Sequence, residues 1–278
     1  MSLFIASLNS GSNGNCYYIG NGEEAVFIDA GISCRETELR MKRLGLNMSG
    51  VKAIFISHEH SDHISGVSQL VAKYQIPVYF SQATLKIAGF GRIRKWAFHF
   101  TAQQPVMIGN LRITAFRKKH DACDPHSFVV SAAKTNIGVF TDIGEPCDQL
   151  IHYFRQCHAA FLESNYDEEM LEKGRYPFYL KNRIRGGEGH LSNRQAMELY
   201  IRHRPAFMSH LLLSHLSKEN NSPELVESLF NSIPTETRIV IASRYQETAL
   251  YQIANPEKFI RSFLPKIKPA SQLQLKLF

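Results

Sequence analysis

Short apolar runs broken by turn-forming residues dominate the first half of the chain. Cys16 to Ile19 and Ala25 to Ile28 are two such runs, and Gly20-Asn21-Gly22 between them predicts a hairpin. Val51 to Ile56 and Ile76 to Phe80 predict buried strands. Ala97 to Phe100, Val106 to Ile108 and Leu111 to Phe116 read as antiparallel strands, followed by Phe128 to Ser131 and Gly138 to Phe140. One helical interruption is signalled by Ser33 with Glu36 three positions on, a capping-box pattern that opens a helix through about Leu44. The second half repeats the style. Ala159 to Leu162, Phe207 to Leu213 and Arg238 to Ala242 predict strands. Ser192 with Gln195 starts a helix to about His203, and Pro223 sits in the first turn of another that runs to Phe230. Strands in two blocks, each flanked by helices, predict two packed sheets covered by helices outside, a mixed α/β fold.

Composition adds limits. The chain of 278 residues is ample for one large core, and residues 1–264 are read as a single domain with 265–278 as a tail. Hydrophobic residues make up 44% and charged residues 21%, so the composition is that of a soluble globular protein. No apolar run approaches the ~20 residues of a membrane helix. The first residues lack the basic and apolar regions of a signal peptide, which predicts a cytoplasmic protein. Five scattered cysteines form no C-x-x-C pair, so neither a disulfide framework nor a thiolate zinc site is indicated. The net charge of +7 favours polyanionic partners.

The chemistry concentrates in Ser57-His58-Glu59-His60-Ser61-Asp62-His63, directly after a predicted strand. Three imidazoles and a carboxylate so close together cannot all be buried without partners. Leaving the strand, His58 and His60 can aim at one ion while Asp62 and His63 turn towards a second. Imidazole and carboxylate ligands suit zinc, and also manganese or iron.

This H-x-H-x-D-H pattern resembles the signature of the metallo-β-lactamase superfamily. The resemblance implies a four-layer αββα sandwich with the metals at one edge of its two sheets. It implies three further ligands, for which His120, Asp142 and His215 stand in order at predicted strand ends. His58, His60 and His120 then hold one metal, Asp62, His63 and His215 the other, and Asp142 bridges them. His126 is an alternative to His120. The other histidines (His99, His152, His158, His203 and His210) are read as ordinary structural or surface residues. The likeness also places Asp29 behind the metal ligands as an orienting partner. A hydroxide shared by the two ions is the expected nucleophile, with Asp62 at the reacting centre. In the RNase Z branch a His and an acidic partner pass a proton to the leaving group, and His190 with Glu163 takes that role here.

Within the superfamily the chain is similar to the YycJ/WalJ (VicX) group. The similarity is carried by Ser10 to Asn15, Ser57 to His63, His120 to Pro125, Glu163-Ser164-Asn165, Gly174 to Pro177, Gly189 to Asn193 and His215 to Asn221. Tyr166 stands where a His is expected after Glu-Ser-Asn. The group resemblance implies a 5′-to-3′ DNA exonuclease of repair. An RNA-processing enzyme and a glyoxalase II-type thioesterase are the alternatives. The stretch from Asp142 to His190 is too short for the inserted domain of RNase J-type enzymes.

Residues for polyanion contact follow. Lys173 to Arg185 holds five cations, no acid and the aromatics Tyr176, Phe178 and Tyr179. Arg175, Lys181, Arg183 and Arg185 can neutralise phosphates while the aromatics stack on bases. The alternative is an amphipathic segment with its aromatics in the core. Lys118 and Lys119, next to Arg117, abut His120 and favour an anionic substrate. The Ser10 to Asn15 turn offers backbone N–H groups to a phosphate. The chain ends in Gln274-Leu275-Lys276-Leu277-Phe278, which matches the Q-L-x-L-F peptide that docks bacterial repair proteins on the sliding clamp. Gln274, Leu275, Leu277 and Phe278 are the expected contacts; the alternative is an apolar end packed on the domain.

Overall fold

The computed structural model describes residues 2–89 and 91–254. The chain opens with three antiparallel strands, β1 (Leu3–Asn9), β2 (Cys16–Gly20) and β3 (Ala25–Ile28). Helix α1 (Cys34–Arg43) crosses to β4 (Val51–Phe55), which runs parallel to β3. Helices α2 (Ser61–Ile64) and α3 (Val67–Tyr74) lead to β5 (Val78–Phe80), and α4 (Gln82–Ala88) leads to β6 (Ala97–His99). A meander β7 (Val106–Ile108), β8 (Leu111–Arg117), β9 (His126–Ala132) and β10 (Thr135–Phe140) starts the second sheet. It continues through α5 (Asp148–Phe154) to β11 (Ala159–Glu163), then α6 (Glu168–Lys173), α7 (Phe178–Arg185) and α8 (Asn193–His203). Strand β12 (His210–Ser214), α9 (Pro223–Asn231) and β13 (Arg238–Ile241) complete it, while β14 (Tyr251–Ile253) returns to the edge of the first sheet beside β1. The strand orders are β14-β1-β2-β3-β4-β5-β6 and β13-β12-β11-β10-β9-β8-β7.

Alternation along the strands explains the layering. Ile19, Val26, Ile28 and Phe55 of the first sheet meet Ile113, Phe128, Val139 and Phe161 of the second in a central core. The intervening residues Tyr18, Phe27, Ile54 and Ile56 turn outward under α1 and α3, and Phe140, Leu162, Leu211 and Leu213 turn outward under α5, α8 and α9. A strand buried on both faces needs apolar residues at every position, which is why the parallel strands read as unbroken apolar runs. This is the αββα sandwich expected from the sequence.

Several expectations change. Ala97 to Phe100 is not part of an antiparallel meander: β6 pairs parallel with β5, because α4 and a 3-10 turn carry the chain back to the same end of the sheet. β12 starts at His210 rather than at Phe207, since Met208 N donates to the Pro205 carbonyl (3.0 Å) and closes a turn there. The Ser33 cap is half of a capping box: Ser33 Oγ accepts from Glu36 N, but the Glu36 carboxylate pairs with Arg40. Ser192 and Gln195 form the full reciprocal box. Strand β1, inside the first sheet, went unread because no turn signal precedes it. The boundary at residue 264 lies outside the described residues. Among these residues no helix is long and apolar enough to cross a membrane.

Candidate metal centre

The histidine-rich segment begins where β4 ends. His58 and His60, two residues apart on extended chain, point to one side; α2 then turns the chain so that Asp62 and His63 come back to the same place. The other chemistry arrives at the ends of neighbouring strands. Asp29 follows β3, His120 lies just past β8, Asp142 just past β10, Glu163 ends β11 and His215 follows β12. Asp29, Asp142 and His215 adopt left-handed backbone (φ 61°, 55° and 57°), which swings each side chain off its strand direction, Asp142 and His215 into the centre and Asp29 behind the His63 ring. Such conformations raise the energy by about 1–3 kcal/mol each, so the surrounding packing must hold them in place.

Two trios result. His58, His60 and His120 bring one ligand atom each to within 4.8 Å of one another, and so do Asp62, His63 and His215. Asp142 stands between, grouped with His58 and His63 on one side and with Glu163, His190 and His215 on the other. His126 joins none of these groups; its Nδ1–H donates to the Asp124 carbonyl (2.8 Å) and its ring packs on Phe100.

The backs of the imidazoles are fixed by acceptors. His63 Nδ1–H donates to Asp29 Oδ2 (2.7 Å), His120 Nδ1–H to the Gly189 carbonyl (3.0 Å) and His215 Nδ1–H to Glu163 Oε1 (3.0 Å). Ser57 Oγ donates to Asp29 Oδ2 (2.9 Å) and so accepts from His58 Nδ1 (2.9 Å). Each of these four rings therefore turns its Nε2 lone pair inward, as a metal-binding imidazole must. Two of the inward atoms, His120 Nε2 and Asp142 Oδ2, are buried and make no well-formed hydrogen bond, although His63 Nε2 lies 3.3 Å from Asp142 Oδ2. Orphaned buried polar atoms are unfavourable, and a divalent cation would satisfy both. The residues present fit the metal ions that the sequence implied.

Charge divides the centre in two. Burial pushes the His58 imidazole well down, and His120 down to about 4, so those two rings are neutral. Burial also opposes charge on His63 and His215, but nearby carboxylates outweigh it. Asp142, Asp29 and Asp62 raise His63 well above its usual range, and Asp142, Asp62 and Glu163 raise His215 to about 10. Against the penalty of burial, those imidazoles in turn hold Asp62 and Asp142 well below the usual carboxylate range. This half attracts positive charge, and a metal ion competes there with protons.

Glu163 is fully buried. Its Oε1 accepts from His190 Nδ1 (2.8 Å) as well as from His215, and its Oε2 accepts from the backbone of Ile143 (2.7 Å) and Leu191 (3.1 Å). Against the penalty of burial, the adjacent His190 and the hydrogen bonds from His190 and His215 hold its carboxyl down at about 2. His190 keeps 21% of its side chain exposed and lies 5.2 Å from the His120 ring and 5.3 Å from the His215 ring.

The cations expected at a polyanion divide. Lys118 is a correction: it is buried, and its Nζ donates to the Thr141 carbonyl (2.7 Å), so it props the strand carrying Asp142 and does not reach a phosphate. Lys119 is exposed and paired with Glu145. Arg183 pairs with Asp121, Arg185 with Glu172, and Lys181 donates to the Glu172 carbonyl; Arg175 is exposed in a cleft with Asp167, Glu169 and Tyr176. Phe178 and Tyr179 are exposed, which removes the reading that places them in the core. Tyr166 is buried and bridges to Ser192. Gln274, Leu275, Leu277 and Phe278 lie outside the described residues.

Two contributors were not foreseen. Asn15 Nδ2 donates to Asp62 Oδ2 (3.1 Å) and lies 3.2 Å from His63 Nε2, while its backbone N donates to the Asp62 carbonyl (2.7 Å). The Ser10 to Asn15 turn thus braces the metal loop from within. Ser57 links Asp29 to His58. The only signal in the sequence for either was a small polar residue beside a motif, and their partners are distant along the chain.

Comparison with known proteins shows the family and the fold. Residues 24–215 match the model of the Beta-lactamase superfamily domain. Exodeoxyribonuclease YycJ of Bacillus anthracis is 32% identical over 88% of this chain and 94% of its own length. Exodeoxyribonuclease WalJ of Streptococcus pneumoniae is 32% identical over 78% of this chain and 83% of its own. Among solved structures, the metallo-β-lactamase fold protein YhfI from Bacillus subtilis superposes with a TM-score of 0.68 at 15% identity, covering 90% of this chain and 99% of that one, a likeness of fold.

Proposed function

This chain belongs to the YycJ/WalJ family of the β-lactamase superfamily, and on that premise we propose that it is a two-metal phosphodiesterase, a 5′-to-3′ DNA exonuclease acting in repair. The observation that carries the reading is the convergence of His58, His60 and His120 and of Asp62, His63 and His215 on either side of Asp142. The relatives of similar length are named as exodeoxyribonucleases, which favours DNA over a small ester as substrate. When bound, the ions, zinc in this proposal, supply Lewis acidity that lowers the pKa of water and offsets charge on the phosphoryl oxygens.

The protein's own residues do the rest. Asp29, Ser57, Gly189 and Glu163 hold the rings of His63, His58, His120 and His215 in one tautomer, so that no reorientation is needed when substrate arrives. Asn15 keeps Asp62 aimed at the centre. His190 stands at the open edge with Nδ1–H donated to ionised Glu163, which fixes the ring and leaves Nε2 to face the departing oxygen. In this reading His190 delivers the proton to the leaving group.

The test uses end-labelled DNA and RNA of matched sequence, with chelation and metal add-back. Metal-dependent shortening of 5′-ended DNA is expected, with Asp142→Ala losing both bound metal and cleavage. His190→Ala is expected to keep its metal content and lose about 10²–10⁴-fold in turnover, the range for a removed proton donor. Cleavage of RNA alone, or full activity after chelation, would overturn the proposal.

A further inference from the structure

We propose that α7 is a shelf on which unpaired bases of a single-stranded DNA end stack before the strand enters the metal centre; this rests on the nuclease reading above. None of the eight residues of α7 is buried. Phe178 and Tyr179 leave 70% and 74% of their surface in water, whereas Phe116, Phe128 and Phe161 are wholly enclosed. An amphipathic helix turns its aromatics inward, so two adjacent exposed rings call for an occupant.

Charge selects the class of occupant. From Lys173 to Arg185 there is no acidic residue, and the Arg185 guanidinium lies 5.7 Å from the Phe178 ring centroid. Arg183 and Arg185 pair with Asp121 and Glu172, yet their side chains remain 60% and 40% exposed and can share a phosphate. Aromatic faces interleaved with cations suit a single strand, because every base has a face to stack and every nucleotide a phosphate to neutralise. Duplex ends offer only the face of the last pair.

Placement ties the shelf to the centre. His190 N donates to the Ile184 carbonyl (2.8 Å), and Gly189 N to the Gly186 carbonyl (2.9 Å). The Gly189 carbonyl in turn accepts from His120. A Cβ on Gly189 would lie 2.1 Å from the Ile184 carbonyl oxygen, so the helix end and the catalytic loop touch backbone to backbone. An eight-residue helix is about 12 Å long, or roughly three to four stacked nucleotides at ~3.4 Å each. The aromatics at its far end therefore meet bases a few positions from the bond being cut.

The experiment measures anisotropy of a labelled, cleavage-resistant phosphorothioate 12-mer on the full-length metal-loaded protein. Compared are wild type, Phe178→Ala/Tyr179→Ala and Phe178→Trp/Tyr179→Trp, with an abasic 12-mer as the second probe. The alanine pair is expected to bind the base-carrying strand roughly tenfold more weakly. The tryptophan pair should restore binding, and all three should bind the abasic strand alike. Unchanged affinity of the alanine pair, or an equal loss on the abasic strand, would overturn the shelf. Wild-type cleavage of end-labelled DNA is followed in parallel: its absence would sink the nuclease reading and the shelf with it, whereas cleavage with unaltered binding by the alanine pair would sink the shelf alone.

Discussion

Asp29 shows how much one side chain without a place among the metal-facing atoms can control. It accepts from Ser57 N (2.8 Å), Ser57 Oγ and His63 Nδ1, and through Ser57 it reaches His58. Asp29→Asn keeps the shape and tolerates the left-handed backbone, but it replaces one acceptor oxygen by an NH₂ facing donors. We expect metal affinity to fall about 10–100-fold, the usual effect of losing an orienting partner, with folding destabilised by roughly 1–3 kcal/mol. Competition against a chromophoric chelator and urea denaturation read the two effects separately; an unaltered metal affinity would show that Asp29 does not orient the ligands. At this scale the sequence was readable where chemistry was dense. His58, His60, Asp62 and His63 announce themselves by spacing, but Asn15 is joined to Asp62 by a contact that no local pattern encodes. Lys118 misled for the same reason: whether a lysine beside His120 faces water or the Thr141 carbonyl depends on what packs over it.

At the scale of elements, the site is a set of strand ends held in register. Gly31, between β3 and α1, passes so close to α2 that a Cβ would lie 1.7 Å from the Asp62 carbonyl oxygen, and its N donates to the Asn15 carbonyl (2.8 Å). Gly31→Ala must push the metal loop off the strand ends. We expect a loss of about 2–4 kcal/mol in stability, in the range of tight-packing clashes and strain combined, together with lost metal loading. Thermal melting and metal analysis of the purified variant would reveal a mistake if both stayed at wild-type values. Strands were legible because burial on both faces demands unbroken apolar runs. The partner of β6 was not, since a three-residue run pairs with whichever strand the preceding helix brings it to. Helix α7 escaped notice as a helix because it buries no face and so carries no apolar period.

At the scale of the whole molecule, the centre takes His58, His60, Asp62 and His63 from the first sheet and His120, Asp142 and His215 from the second. Ions bound there would tie the two sheets together and so favour the folded chain, in which alone these side chains converge. With free metal at 100 times its dissociation constant the stabilisation is about 2.7 kcal/mol, or roughly 5–10 °C in melting temperature for a domain of this size. Chelation followed by add-back in a thermal melt checks this; identical curves with and without metal would contradict it. The sequence by itself determined the kind of fold and the dense cluster from His58 to His63, because periodicity, turn residues and a six-residue motif are properties of contiguous chain, while the candidates His120, Asp142 and His215 came from its likeness to a known family. Tertiary structure alone decided which rings have their backs fixed, which cation is buried and how the two trios face Asp142. His215 N–H reaching Ser10 Oγ (2.7 Å) across 205 positions is such a decision: packing two sheets brings together atoms that the linear order leaves unrelated, and hydrogen bonds a few ångströms long follow the packing.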